Sequence, residues 1–484
     1  MRIMLTLECL PTELITEIHS YLSYADLKAV RLVSKAVSAP ASRELFRVIL
    51  VKVNMTSFRS LSEISKHEEL SNYVRTVRYS GKMLPNHGDL DDDPDNPHFD
   101  FWVDDFERWL EGGVGHGISA DLADQFDQDQ LEFYHWNYSC YCRGQYRILA
   151  GDNHVRRLTN AFKSFKNLAG VSYERNRYNK AIEGPITLAK LSSVGQHTLM
   201  EPDSESGVPY QAQQFFALLK AVRANESINL KSLRGTGLEI NSFNAYPGGT
   251  ALLDALTSLS RLTLHFSRAH FVDGDGRKIA RLIGRAPLLE SLQLSFEFST
   301  FETTEDVIKL EELLDKGSHW KALKTLKLQA MATDPEILTQ LLHRHAPTLR
   351  SLELGHIDLR PLGGYNAAPA ESWVTIIQFL QENLKLDHVR FHGNFSNRQN
   401  EGWVTYDEAT KHSRLLRSTP AASMVRYKQD CLRYRIEQYI TRGGVSPFTA
   451  RSPPGMDYPL DDEYHGLNWI YEEDESWSFE ERLL

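Results

Sequence analysis

Two strings near residue 100 are the first places where the residue types could support chemistry. Four aspartates alternate there as the oxygen ligands of a calcium loop would: Asp89, Asp91, Asp93 and Asp95. Pro94 interrupts this run, and neither a glycine nor a twelfth-position glutamate completes an EF-hand. The string GGVGHG at 112–117 lacks the Lys-Ser/Thr pair of a phosphate-binding loop and follows a helix-like segment. Neither string therefore predicts a metal or phosphate site.

The histidines and cysteines also lack the spacing of a reactive site. His343 and His345 flank one residue of a predicted helix, so they point to different faces and do not suit one metal ion. Cys140 and Cys142 lack the two-residue gap of a zinc knuckle and are predicted to be free thiols. No Gly-x-Ser-x-Gly elbow, His-Glu-x-x-His helix or Cys-His nucleophile neighbourhood occurs. We therefore expect no catalytic residue, no metal and no cofactor, and a chain that is not an enzyme.

Charge and hydropathy narrow the class of protein further. The chain has 484 residues, a net charge of −10 and 41% hydrophobic residues, which is enough for a large core. Residues 89–132 hold fifteen acids and one Arg, and residues 457–482 hold ten acids and one Arg, so the remainder is basic. No apolar run of about eighteen residues and no signal peptide are evident. We expect a cytoplasmic or nuclear protein, or both, that binds no membrane and no nucleic acid.

A Leu-x-x-Leu-x-Leu pattern positions most of the predicted secondary structure. It occurs at Leu259–Leu264, Leu289–Leu294, Leu323–Leu328 and Leu349–Leu354, and in degenerate form at Leu386–Phe391. Each copy predicts a short strand with one buried face, and amphipathic segments predict helices at 277–286, 305–316, 335–345 and 371–382. Asp334 is the expected N-cap of the third helix, with Pro335 in its first turn. Strands and helices alternating at intervals of 26 to 37 residues predict an α/β fold, an irregular leucine-rich-repeat solenoid.

Weaker copies of this pattern at 74–79, 168–173 and 230–233 extend the predicted array toward the N-terminus. The alternative is a doubly wound sheet, which longer apolar strands and a Gly-rich first turn would favour. We expect the array to cover 51–400, with an acidic insertion at 86–130. The remaining residues, 401–484, predict a charged helix, clearest at Met424–Ile440, and an acidic, aromatic tail.

The first fifty residues predict two or three short helices. Pro11 suits a helix start because the N–H that proline lacks has no partner in the first turn. The first apolar stripe comprises Leu14, Ile15, Ile18 and Leu22, and the second comprises Leu27, Val30 and Val33. Asp26 is the expected N-cap of the second helix. Helices this small cannot bury all of their own apolar surface, so we expect a partner protein to cover it. The alternative is an ordinary helical hairpin packed on its own domain.

This stretch resembles an F-box of the kind found at the N-terminus of many fungal proteins. The matching residues are Leu10, Pro11, Glu13, Leu14, Ile18, Tyr21, Leu22, Asp26, Leu27, Arg31, Val33, Ser34 and Lys35. The sequence departs from the family at Ala36-Val37, where a bulky aromatic residue is frequent, which bears on the packing of the third helix. The resemblance implies binding to the Skp-type adaptor of a cullin-RING (SCF-type) ubiquitin ligase. The adaptor-binding residues that it implies are Leu10, Pro11, Leu14, Ile18, Leu22, Leu27, Val30 and Val33.

The array would then hold a protein target for ubiquitination, and the chain would act as a non-catalytic substrate receptor. Target contacts are expected from strand positions between the repeat leucines: Arg261, His265, Gln293, Lys327, Gln329, Glu353, Arg390 and His392. Their cationic character suits an acidic or phosphorylated target, although a solvated face is the simpler interpretation. The alternative function is a leucine-rich-repeat interaction scaffold that delivers nothing for degradation.

Overall fold

The computed structural model describes ten stretches of the chain. They are 10–81, 143–174, 210–238, 253–266, 276–296, 308–314, 319–360, 373–396, 402–405 and 432–446, together with Phe133, Trp136 and Cys140. The predicted acidic insertion at 86–130 and the acidic tail lie outside these residues. The chain divides into two compact units. The first comprises Met1–Leu230, Gly235–Gly237 and Arg482–Leu484, and the second comprises Lys231–Arg234 and Leu238–Glu481.

The first unit combines helices with three parallel strands. Its helices are α1 (Thr12–Ser20), α2 (Tyr24–Val30), α3 (Lys35–Leu45), α4 (Met55–Lys66), α5 (Glu68–Tyr73), α6 (Asn153–Phe162) and α7 (Tyr210–Arg223). Its strands are β1 (Val48–Lys52), β2 (Thr76–Ser80) and β3 (Gly170–Glu174). Strand β2 pairs in parallel with both β1 and β3. The sequence patterns did not predict strand β1 or helices α4, α5, α6 and α7.

A capping box fixes the start of α2. The Ser23 hydroxyl accepts a hydrogen bond from the Asp26 backbone N–H at 3.2 Å, and the Asp26 carboxylate accepts one from the Ser23 N–H at 3.3 Å. This reciprocal pair satisfies two backbone donors that a helix start otherwise leaves open. The expected N-cap at Asp26 is therefore wrong by three residues, because Ser23 provides the cap and Asp26 completes the box.

The second unit contains the leucine repeats. Its helices are α8 (Gly276–Gly284), α9 (Leu310–Leu313), α10 (Pro335–His345), α11 (Trp373–Asn383) and α12 (Leu432–Arg442). Its strands are β5 (Arg261–Phe266), β6 (Ser291–Phe296), β7 (Thr325–Thr333), β8 (Ser351–Leu359), β9 (His388–Ser396) and β10 (Gly402–Thr405), and residues of β4 (Ser232–Leu238) belong to both units. Strands β5 to β9 pair in parallel in chain order, and β10 is antiparallel to β9.

The repeat leucines produce the strands that the sequence predicts. Each copy forms one of the strands β5 to β9, and all of its leucine, valine and phenylalanine positions are buried. The weaker copies likewise become β2, β3 and β4. Because β5 to β9 follow chain order, they lack the strand-order reversal of a doubly wound sheet. The mixed α/β class with a helical N-terminus is confirmed, and the solenoid assignment stays a prediction.

The helices between the strands lie where the sequence predicts them, but some differ in length from the prediction. Asp334 caps α10 by accepting hydrogen bonds from the Glu336 and Ile337 N–H groups, with Pro335 at the first position, as predicted. The helix predicted at 305–316 is too long: within the described residues 308–314 only α9 is helical, because Lys309 forms a β-bridge with Ala332 and Leu314 is extended. Among the described residues, no helix is long and apolar enough to cross a membrane.

Adjacent leucines at the entry to β6 provide a test of the buried face. Leu289 is fully buried, whereas its neighbour Leu288 is 54% exposed. We expect Leu289→Ala to lower the free energy of unfolding by ~2 to 5 kcal/mol, because it leaves a cavity in the core. Leu288→Ala is the matched control and should change it by less than ~0.5 kcal/mol. Urea denaturation followed by circular dichroism measures both, and equal effects would contradict the assigned burial.

A buried histidine on α10 predicts a pH dependence of stability. His345 stacks on Trp320 and His319, and burial, followed by the charge of His319, lowers its pKa from 6.5 to about 4. The unfolded chain therefore binds the proton first, so stability is lost as the pH falls from about 6.5 to about 4 and changes no further below that. We expect this contribution to reach about 3 kcal/mol.

The pH dependence is measured by urea unfolding of the parent and of His345→Phe between pH 7 and pH 4. The variant removes the titrating imidazole and should flatten the pH dependence. His343→Gln, which removes an exposed imidazole from the same helix, is the control. Parallel pH curves for the parent and His345→Phe would contradict the prediction.

Candidate functional site

Helices α1 to α3 form a small packed domain with a buried interior. Leu27, Ala41 and Leu45 form its core, and the half-buried Leu22, Val30 and Phe46 pack against them. Val37 and Pro40 are also buried on α3. The sequence departs from the F-box pattern at Ala36-Val37, but the third helix still forms. Val37 is buried in the domain and Ala36 is exposed.

Helix α1 buries one side and leaves apolar residues on the other. Ile15 and His19 are buried, while Leu14 and Ile18 lie one residue before each of them and stay exposed. Burial lowers the pKa of His19, and the negative charge of Glu44 opposes that shift. The apolar stripe predicted for α1 therefore does not lie on one buried face: Ile15 is inside the domain, whereas Leu14 and Ile18 face solvent.

The turn after α2 adds two exposed apolar side chains. Leu32 is 79% exposed and Val33 is 73% exposed. The N–H of Leu32 donates to the Ala29 carbonyl at 3.0 Å, and the N–H of Val33 donates to the Val30 carbonyl at 3.0 Å. The backbone of this turn is therefore held while its side chains project into solvent. Aliphatic groups exposed to this degree on a small domain indicate a surface that another protein covers.

The structure divides the predicted adaptor-binding residues into three groups. Pro11, Leu14, Ile18 and Val33 are exposed, Leu10, Leu22 and Val30 are half-buried, and Leu27 is in the core. Leu32 is absent from the prediction because it lies off the helical stripe, in the turn. Its only sequence signal is an unbroken apolar pair just before the Ser34-Lys35 helix start.

The second candidate surface is the polar side of strands β5 to β9. The repeat leucines, Val389 and Phe391 are buried, and the alternate positions are half-buried except for the exposed His388 and the buried Ser295 and Gly355. Because successive side chains on a strand point to opposite faces, these positions share one side of the sheet. The repeat leucines lie on the opposite side, which is removed from solvent. We call the side of the alternate positions the polar face.

Strand register aligns the polar face into three rows. The first row is Arg261, Ser291, Thr325, Ser351 and His388; the second is Thr263, Gln293, Lys327, Glu353 and Arg390; the third is His265, Ser295, Gln329, Gly355 and His392. All eight predicted target-binding residues lie in these rows. Neighbouring strands are ~4.8 Å apart, so side chains within one row are in reach of each other.

The Glu353 carboxylate contacts two basic side chains on the polar face. The Glu353 carboxylate lies 3.2 Å from Lys327 Nζ through one oxygen and 3.7 Å from His392 Nδ1 through the other. The His392 ring packs over Gly355 so closely that a Cβ at Gly355 would overlap it. Glycine is therefore required below this ring, and the ring holds its place beside Glu353.

Strands β7 and β8 share an unusual backbone conformation just after their repeat leucines. Ala330 on β7 and His356 on β8 have φ angles of 56° and 50°, in the left-handed region that residues with a Cβ seldom adopt. They lie at equivalent positions, because Gln329 pairs with Gly355 and Met331 with Ile357. Burial, followed by the nearby His392, lowers the pKa of His356 to about 3, so His356 is neutral at pH 7.

Helix α12 lies against the last parallel strand. The N–H of Phe391 on β9 donates to the Glu437 carboxylate at 3.1 Å, while the later residues of β9 pair with β10. The predicted C-terminal helix is observed at Leu432–Arg442; residues 406–431 lie outside the described part. His343 and His345 are separated as expected, one exposed and one buried. No group of three metal-binding side chains occurs among the described residues.

The approach of His392 to Gly355 yields a prediction. We expect Gly355→Ala to displace the His392 ring from Glu353 and to lower the free energy of unfolding by ~1 to 3 kcal/mol through overpacking. The control is Gly284→Ala on α8, where an added Cβ meets nothing within 4 Å. Urea unfolding measures both. A loss of stability in the control as large as that in Gly355→Ala would refute the packing argument.

Comparison with known protein families identifies the N-terminal helical domain. Residues 7–38 match the F-box domain, and this range contains α1, α2, the exposed turn and the beginning of α3. No curated protein matches the chain. The resemblance to an F-box noted from Leu10, Pro11 and the residues that follow them is therefore confirmed, whereas its fungal type stays a prediction. This chain carries an F-box domain at residues 7–38.

Proposed function

We propose that this chain is the substrate-recognition subunit of a cullin-RING (SCF-type) ubiquitin ligase. One observation carries the proposal: the matched F-box exposes a set of apolar side chains that its own fold does not cover. These are Leu14, Ile18, Leu32 and Val33, with Pro11 at the start of α1. F-box domains generally bind Skp-type adaptors, and burial of a Leu or Ile side chain stabilises a complex by ~1.5 to 3 kcal/mol. These exposed groups form the proposed adaptor-binding surface.

The buried residues of the predicted set have a different role in this proposal. Leu27, with Leu22 and Val30 packed against it, holds α2 onto α3. Their substitution would unfold the domain before it altered a contact, so they are poor probes of binding. Leu10 is half-buried beside the exposed Pro11 and belongs to the edge of the surface.

The array supports target binding in the same proposal. We assign strands β5 to β9 and their helices to an irregular leucine-rich-repeat solenoid, supported by parallel strands in chain order and by buried repeat leucines. The polar face would hold the protein target, and the chain would contribute proximity to the ubiquitin-charged enzyme instead of chemistry of its own. Such a complex would act in the cytoplasm or nucleus.

Adaptor binding by the full chain tests the first half of the proposal. Leu14→Asp with Ile18→Asp should lower the affinity for a purified Skp-type adaptor at least ~100-fold, because two apolar contacts become buried charges. Met55→Asp is the matched control, since Met55 is as exposed as Leu14, at 46%, and lies on α4 outside the F-box. Calorimetric titration measures the affinities. Unchanged binding by the double variant would refute the proposal.

Ubiquitination separates the receptor from the scaffold alternative. A receptor predicts at least one protein whose ubiquitination falls in cells that carry the double variant, compared with the Met55→Asp control. Adaptor binding with no such protein would favour a scaffold that delivers nothing. Proteome-wide measurement of ubiquitinated peptides provides this comparison.

A further inference from the structure

Strand β1 has one edge that no other strand covers among the described residues. It pairs with β2 along its other edge, and it packs mainly against β2 and α4. The edge of a sheet presents a row of backbone N–H and C=O groups to which a further strand can bind. The direction of these groups, and the side chains beside them, determine what β1 can bind.

Alternate residues of β1 direct their backbone groups away from β2. The Arg47 carbonyl accepts a hydrogen bond from the N–H of Thr76 at 3.1 Å, so the residue just before β1 faces β2. In a parallel pair, residues two apart on one strand share this direction. The backbone groups of Val48, Leu50 and Lys52 therefore point to the outer edge.

Two of these three residues keep their outward backbone groups open. The N–H of Lys52 donates to the Ser57 hydroxyl oxygen at 2.9 Å, which closes that end of the edge. Val48 and Leu50 make no backbone hydrogen bond outside the β1–β2 pairing within the described part of the chain. An antiparallel strand can exchange two hydrogen bonds with each of them, which gives four in total.

The side chains beside this edge are two aliphatic groups followed by a cation. Val48 is 41% exposed, Leu50 is 50% exposed, and Lys52 is exposed on the same face of the strand. Lys52 forms no ion pair among the described residues. Glu174 lies in the same row but two strands away, and it pairs with Arg78 at 3.6 Å. The Lys52 ammonium is therefore available to an acid from a partner.

We propose that the outer edge of β1 binds an extended segment of a partner protein, which adds to the sheet as an antiparallel strand. Its pattern is acid-x-aliphatic-x-aliphatic, with the acid opposite Lys52 and the aliphatic side chains opposite Leu50 and Val48. Main-chain hydrogen bonds give such a complex its affinity, and the alternate side chains give its specificity. The inference goes beyond the proposed function, because this edge lies outside both the F-box surface and the polar face of β5 to β9.

A second copy of this chain fits the edge less well. The symmetric pairing that joins the open groups of Val48 to those of Leu50 places Lys52 opposite Phe46 of the other copy, where it gains no carboxylate. Helix α3 ends at Leu45, so the other copy would also bring an F-box helix close to this strand. Charge complementarity therefore favours an acidic partner segment.

Two octapeptides of identical composition test the position of the acid. Gly-Glu-Thr-Val-Ser-Ile-Thr-Gly has its acid and both aliphatic residues on one face, whereas Gly-Thr-Glu-Val-Ser-Ile-Thr-Gly has the acid on the other. Surface plasmon resonance with the immobilised full chain should show about twofold to fivefold tighter binding of the first, as for an exposed charge pair. Equal or reversed affinities would overturn the proposed pattern.

Methylation of the peptide backbone tests strand addition itself. Methyl groups on the amide nitrogens of Val and Ile in the first peptide remove two of the four hydrogen bonds and should weaken binding at least about tenfold. The control peptide carries them on Ser and the last Thr, whose N–H groups point away from β1, and should lose much less affinity. Equal losses would show that the peptide does not pair with this edge.

Variants of β1 test the two kinds of side chain. Lys52→Glu should weaken binding of the first peptide and tighten binding of its analogue with Lys in place of Glu, a reversal that unfolding cannot produce. Leu50→Ser should weaken binding about threefold to tenfold. Leu288→Ser is the matched control, since Leu288 is 54% exposed in the second unit. Equal losses in the two leucine variants, or no change in Lys52→Glu, would overturn the assigned edge.

Two further measurements on the same preparations identify other occupants. Dimers in sedimentation velocity that become monomers in Leu50→Ser would assign the edge to a second copy. Loss of peptide binding at a saturating concentration of Skp-type adaptor would assign it to the adaptor, and either result overturns the inference. Retained adaptor binding with no peptide binding overturns this inference alone, whereas the result for Leu14→Asp with Ile18→Asp decides the proposed function.

Discussion

The second unit depends on one constraint, the two-residue alternation of side chains along parallel strands. The repeat leucines of β5 to β9 are buried side by side, and a one-residue slip would expose all of them while burying Lys327 and Glu353. The cost of that slip fixes the register. Once the register is fixed, the polar positions form rows, and the rows create the ion pair of Lys327 with Glu353. Thus the apolar side of the sheet determines the geometry of the polar side.

The F-box domain, unlike strands β5 to β9, leaves several of its aliphatic side chains exposed. Its three short helices enclose a core as small as Leu27, Ala41 and Leu45 with a few half-buried neighbours. So little interior cannot accommodate every aliphatic side chain, and Leu32 and Val33 stay in solvent. The domain therefore has a core of its own and still exposes aliphatic side chains. Strands β5 to β9, in contrast, bury their repeat leucines and leave polar and charged side chains on the other face.

The sequence predicted those features that follow from periodicity. The strands came from the leucine spacing, and the polar rows could be predicted as well, because Gln293, Lys327 and Glu353 occupy the same position in successive repeats. Features that depend on local backbone geometry were missed. Leu32 lies in a turn, where no period assigns a direction to its side chain. The left-handed Ala330 and His356 carry no residue-type signal, since glycine is what such a backbone favours. The predicted N-cap of α2 was misplaced by three residues, because Ser23 and Asp26 are both residue types that cap helices.

The contact of α12 with β9 has a consequence for association between copies of this chain. A parallel array ends in a strand whose outer N–H and C=O groups form a template for edge-to-edge pairing. Here the Glu437 carboxylate accepts a hydrogen bond from the N–H of Phe391, and the antiparallel β10 pairs with the later residues of β9. A second chain would have to displace both to pair with β9. The edge that remains at this end of the sheet is β10, which is four residues long, and short edge strands oppose templated aggregation.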